Sequence, residues 1–110
     1  MPGAPSGVRT AATGGEIDEA TGLPALVFVS KRQDGASRKM ESLVAWVKVT
    51  QKKRLQVIEV DADRQPSLAR SLSVRRIPSL VMVKNRQVVG RLEGRATGRQ
   101  IEDLIRPHLG

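Results

Sequence analysis

The sequence predicts an α/β fold, a mixed four-stranded sheet with helices on both faces, and three observations carry that expectation. Short apolar runs of strand length alternate with stretches of helical periodicity. The first run, Pro24-Ala-Leu-Val-Phe-Val29, is apolar at every position, as a strand buried on both faces should be. The last two runs are separated only by Lys84-Asn85-Arg86, which fits an antiparallel hairpin. The order along the chain is strand, helix, strand, helix, strand, strand, helix, and the first strand–helix–strand unit should be a right-handed parallel crossover.

Taken in order, Met1–Gly15 is rich in Gly, Ala, Pro, Ser and Thr and carries one charge, Arg9. It is expected to be a flexible tail, with room for a short fifth strand near Val8–Thr10. It holds no apolar run of about seven residues, as a secretory signal requires, and a lone Arg makes a poor mitochondrial presequence. Residues 16–110 are expected to form a single domain. Glu16–Thr21 can form one helical turn, after which the first strand begins at Pro24. Ser37–Lys53 is helical, because Met40, Leu43, Val44 and Val47 fall at i, i+3, i+4 and i+7, and Ser37 is placed to cap it. Gln56-Val-Ile-Glu-Val60 is the second strand, ended by Asp61-Ala-Asp63. Pro66 suits the first position of a helix reaching about Leu72, with Leu68, Ala69 and Leu72 inward. Ser79–Val83 and Gln87–Leu92 are the hairpin strands, and Asn85 tolerates the left-handed backbone of their turn. Thr97 caps a last helix whose stripe is Ile101, Leu104, Ile105 and Leu109. Trp46, at helical spacing, is expected to be a half-buried packing residue.

Composition removes several kinds of chemistry. The 110 residues include no Cys, no Tyr, and one each of His, Trp and Phe. Thiol nucleophiles, disulfides, zinc–thiolate sites and iron–sulfur clusters are therefore impossible, and one His cannot build a His-based metal site. No cofactor and no metal are expected. Asp61 and Asp63 suggest a cation site only weakly, since carboxylates after a strand usually solvate or cap the next helix. No stretch approaches the roughly 18 apolar residues of a membrane span. The missing cysteines fit a reducing compartment, and a cytoplasmic location is the expectation. The outlier is charge: 19 Lys and Arg against 11 Asp and Glu give +8, a surface that attracts acidic partners.

Four short motifs resemble those of the thioredoxin family. Val60-Asp61-Ala-Asp63-Arg-Gln-Pro66 is similar to its V-D-x-D-x-x-P strand end. Leu72-Ser-Val74-Arg-Arg-Ile77-Pro78-Ser79 is similar to Y-x-V-x-x-I-P-T. Leu80-Val-Met-Val-Lys84-Asn85 is similar to L-x-x-F-K-N-G, with Arg86 replacing the turn glycine, and Gly94 matches the glycine before the last helix. The resemblance runs over roughly Pro24 to Leu109 and implies a thioredoxin-like fold. It also places the family's W-C-x-x-C-[KR] loop on Gln33-Asp34-Gly35-Ala36-Ser37-Arg38, so that Asp34 and Ser37 stand at the two cysteine positions. The family's buried proton-transfer carboxylate falls at Phe28 and the lysine near it at Glu59. Thiol–disulfide exchange needs a thiolate that attacks sulfur, and this chain has neither. Ser37 as a nucleophile would need a base, and the only His, His108, lies at the far end of the chain. Asp34 beside Gly35 reads as turn chemistry. No catalytic residue is assigned, and the chain is expected to be a redox-inactive, non-enzymatic member.

The resemblance further implies that the Ile77–Pro78 bond is cis and that partners are met by three segments: Ser30–Lys39, Ser73–Ser79 and Leu92–Thr97. A cis bond there turns the backbone of residue 76 outward for strand-like pairing with an extended peptide. These 23 residues carry +5, and the other 87 carry +3. Lys31, Arg32, Asp34, Ser37, Arg38, Arg75, Arg76, Ile77, Pro78 and Arg95 are the candidate partner-binding residues. Arginine at 75, 76 and 95 favours paired recognition of carboxylate or phosphate. The leading expectation is a protein-binding accessory or scaffolding subunit of a larger assembly, docking an acidic segment. The alternative is a phosphate-contacting component of a ribonucleoprotein, which the near absence of base-stacking aromatics disfavours. A chaperone-like holdase would need an exposed apolar run that the sequence does not supply.

Overall fold

The computed structural model describes residues 22–109. The expected tail at 1–15, the strand near Val8–Thr10 and the helical turn at 16–21 lie outside them. The elements are β1 (Ala25–Ser30), α1 (Gly35–Thr50), β2 (Gln56–Asp61), α2 (Pro66–Ser71), β3 (Ser79–Lys84), β4 (Gln87–Glu93) and α3 (Gly98–Ile105), followed by a 3-10 turn over Arg106–His108. The sheet order is β2-β1-β3-β4, with β1 and β2 parallel and the other two pairings antiparallel. This is the α/β architecture with a four-stranded mixed sheet that the alternation of runs predicts.

Strand β1 is central, and its alternation divides the core in two. Leu26 and Phe28 point to one face, where they meet Met40, Val44 and Val47 of α1 and Ile101 and Ile105 of α3. Val27 and Val29 point to the other and meet Leu68 and Ala69 of α2. A run with no polar residue is what a strand covered on both faces requires, and all five residues from Ala25 to Val29 are buried.

Helix α1 starts two residues before the expected position. Asp34, not Ser37, is its cap: the Asp34 carboxylate accepts from the Ser37 backbone N–H at 2.8 Å. A carboxylate reaches the third helical N–H better than a shorter hydroxyl that is itself inside the first turn. The helix also ends three residues early, because the Arg54 and Leu55 N–H groups both turn back to the Gln51 carbonyl and so deliver Leu55 into the core. Trp46 departs from expectation too. It is 59% exposed, since α1 buries Ser37, Met40, Val44 and Val47, and residue 46 falls on the opposite side.

The hairpin turn has Asn85 at φ 53° and Arg86 at φ 66°, both left-handed, as a two-residue turn between twisted strands requires. Helix α3 is capped by Thr97, with Gln100 completing a reciprocal capping box. Pro107 lacks the N–H that would continue the helix, so the chain tightens into the 3-10 turn that brings Leu109 onto the core.

Candidate functional site

The pairing register sets which loops meet. Ser30 lies opposite Asp61, Val29 opposite Ser79, and Ser79 opposite Glu93. The C-terminal ends of β1, β2 and β4 and the start of β3 therefore share one end of the sheet. The three segments singled out in the sequence all arrive there. So does a fourth, the β2–α2 loop, which charge counting along the three segments missed.

In the loop after β1, Lys31, Arg32 and Gln33 are exposed and the Asp34 N–H closes a turn on the Lys31 carbonyl at 3.1 Å. Ser37 is fully buried. Its Oγ donates to Asp34 Oδ2 at 2.9 Å and accepts from the Lys31 N–H at 3.3 Å. The two side chains that the resemblance sets at the family's cysteine positions thus meet in a hydrogen bond that closes the loop. The carboxylate beside Ser37 supplies a neighbour that sequence reasoning, which looked only to His108, did not find. It does not make a nucleophile: the oxygen has no exposed surface and a lone pair is already held by the backbone. Beneath the loop, Phe28 and Glu59 are cross-strand partners, Phe28 in the core and Glu59 in solvent.

The second and third segments are fastened to each other. The Ile77–Pro78 bond is cis and Pro78 is buried, while Ile77 packs against the α2 side of the core. The Gly94 N–H donates to the Pro78 carbonyl at 2.7 Å, and Ser79 Oγ donates to the Arg76 carbonyl at 2.6 Å. Arg91 Nη1 donates to the Ser73 carbonyl at 3.0 Å. Gly94 is buried with φ 85°, and a Cβ there would sit 3.4 Å from Cζ of Arg76. The Arg76 guanidinium therefore lies over the glycine, joining the loop before β3 to the loop before α3.

Electrostatics at this end are one-sided. Lys31, Arg32, Arg38, Lys39, Arg75, Arg76 and Arg95 are exposed, and none joins an ion pair among the described residues. The nearby acids are more committed. Asp34 caps α1; Glu93 Oε2 is 3.7 Å from Arg91; Asp61 Oδ1 accepts from the Asp63 and Arg64 N–H groups at 2.9 and 3.4 Å. Asp63 alone is exposed and unengaged by its side chain. Adding Asp61 at the end of β2 and the loop that follows it, with Asp63 and Arg64, lowers the charge of this end by one, to +4. Among the described residues no three His, Asp or Glu side chains cluster as metal ligands, and no helix is long and apolar enough to cross a membrane.

A family model described as Thioredoxin matches residues 24–107. Thioredoxin 2 of Plasmodium falciparum is 33% identical over 57 residues, covering 52% of this chain and 36% of that protein. The chain spans about a third to a half of the length of the first curated relatives it matches. Among solved structures, Fasciola hepatica thioredoxin superposes with a TM-score of 0.77 at 22% identity, covering 88% of this chain and 95% of that one. A malarial thioredoxin-2, described as a component of the parasite's protein secretion machinery, superposes with a TM-score of 0.73 at 22% identity, covering 78% and 84%.

Proposed function

The chain belongs to the thioredoxin family and has no sulfur with which to exchange a disulfide, and from that premise we propose that it is a non-catalytic binding module. It docks an acidic segment of another protein on the basic rim around Pro78, as an accessory or scaffolding subunit of a larger assembly. The observation that carries this reading is the joining of the loops at one end of the sheet, with seven exposed Lys and Arg side chains and no ion pair among them. Guanidinium groups without an ion-pair partner give up no existing pair when they bind a carboxylate, and the planar fork meets both oxygens. Arg32, Arg75 and Arg76 are the anchors, with Lys31, Arg38 and Arg95 around them. Asp34 and Ser37 shape the floor of the rim by closing the loop. The role in an assembly is supported by likeness to a malarial thioredoxin-2 described as part of a secretion machinery. The cysteine-free sequence fits a cytoplasmic setting.

Calorimetric titration of a glutamate-rich extended peptide into the protein tests the proposal. Arg75→Glu/Arg76→Glu should weaken binding at least tenfold, since each reversed contact removes an attraction and adds a repulsion. Equal affinity in the double variant would overturn it. Tighter binding to single-stranded RNA than to the peptide, falling steeply with salt, would transfer the rim to phosphate recognition.

A further inference from the structure

Away from the rim, helix α1 presents a second surface that its own fold leaves uncovered. Trp46 is 59% exposed and Val49, one turn further on, is 71% exposed. Ser42 and Ala45, also exposed, share that side, so the outer stripe of α1 is small or apolar for two turns. Beside Trp46 an open groove runs between α1 and α3, lined by Ser42, Leu43, Gly98, Arg99, Glu102 and Arg106. Gly98 has no side chain to fill it: a Cβ at that position would already be 3.6 Å from Leu43. A lone exposed aliphatic residue needs no explanation, but an indole and a valine on one helical stripe beside a groove form a contiguous apolar patch.

Charge decides what fits. Glu102 and Asp103 are both held by Arg106, at 3.0 and 3.4 Å. Arg99, on the groove wall, has no ion-pair partner among the described residues. Lys39 lies two turns before Trp46 on the same side of α1, and Lys52 and Lys53 follow the end of the helix. The unpaired acid nearest in sequence is Glu41, about 140° round the helix from Trp46. The apolar stripe is thus bordered by free cations. A second copy of a chain carrying +8 would bring like charge onto like.

We infer that this stripe and groove form a second docking site, for an amphipathic segment of another protein that presents a short apolar side flanked by Asp or Glu. Trp46 lies two turns along α1 from Lys39, the last cation of the rim, so one molecule can hold two acidic segments at once, as a scaffold must. The second site stands if the rim does not, because Lys39 alone borders both.

Trp46 is the only tryptophan, so its emission reports the site directly. The probe is a helical peptide with leucines at i, i+3, i+4 and i+7 flanked by glutamates, titrated into the full chain. Binding should shift Trp46 emission to the blue, at least tenfold more tightly than a lysine-flanked peptide of the same apolar pattern. Arg99→Glu should weaken the shift severalfold while keeping the reporter and the fold, and Arg75→Glu/Arg76→Glu should leave it unchanged. No shift, or equal shifts with both peptides, would overturn the inference. Emission that is already blue in the free chain, or that turns blue with protein concentration alone, would overturn it as well. In those cases the chain's own residues or a second copy cover the face.

Discussion

Asp34 and Ser37 face each other across 2.9 Å in the turn that opens α1, and the contact does structural work on both sides. Removing the carboxylate takes away the helix cap and leaves the buried Ser37 hydroxyl without its acceptor. Asp34→Ala should therefore cost about 1–2 kcal/mol, measured by urea unfolding with an unchanged m-value. Ser37→Ala leaves the cap intact but strands the Lys31 N–H and the second bond to Asp34, and should cost about 1 kcal/mol in the same measurement. Gly94 is the third sensitive position. Its φ of 85° is a backbone conformation that a side chain is strained to adopt, while a methyl group would stand 3.4 Å from the Arg76 guanidinium, an ordinary van der Waals contact. Gly94→Ala should cost about 1 kcal/mol or more by urea unfolding. The sequence marks Asp34 as turn chemistry and Gly94 as a matched glycine. It cannot show that Ser37 lies behind Asp34 rather than in the cap, because two hydroxyl-bearing or carboxylate candidates three residues apart satisfy the same pattern.

Elements built on strong local signals are legible, and those set by tertiary demand are less so. The all-apolar β1 and the Thr97–Gln100 box that opens α3 both follow from side-chain chemistry within a few residues. The ends of α1 do not, since the turn at Gln51 exists to bury Leu55 and no local motif announces it. Trp46 is a different case: the stripe of Met40, Val44 and Val47 already sets residue 46 on the far side of the helix, and the structure leaves that side bare. Two variants test these assignments. Thr97→Ala removes a cap from α3 and should cost about 1 kcal/mol by thermal or urea unfolding. Phe28→Ala opens a cavity where α1 and α3 meet the sheet and should cost about 3–5 kcal/mol, a large share of the stability of a domain this size. If Phe28→Ala proves nearly neutral, the two-sided core described above is wrong.

Over the whole molecule, the charge of +8 is not evenly laid out. The register gathers the loops at one end of the sheet, where Asp34 is turned to a cap, Asp61 to a local turn and Glu93 towards Arg91, which leaves the cations and Asp63 facing outward. Which segments converge there is readable from the family's motifs. That the β2–α2 loop brings Asp61 and Asp63 to the same end follows from the parallel crossover expected of the first strand–helix–strand unit, and the register adds that Asp61 lies opposite Ser30. An acidic segment on such a surface should lose affinity as salt rises, since the Debye length shortens to about 8 Å at physiological ionic strength. The most direct measurement is amide chemical-shift mapping of the full chain during titration with a glutamate-rich extended peptide. The shifts should concentrate in Ser30–Lys39, Ser73–Ser79 and Leu92–Thr97 and vanish in Arg75→Glu/Arg76→Glu. Shifts scattered over the surface, or undiminished in the double variant, would contradict a docking rim at this end of the sheet.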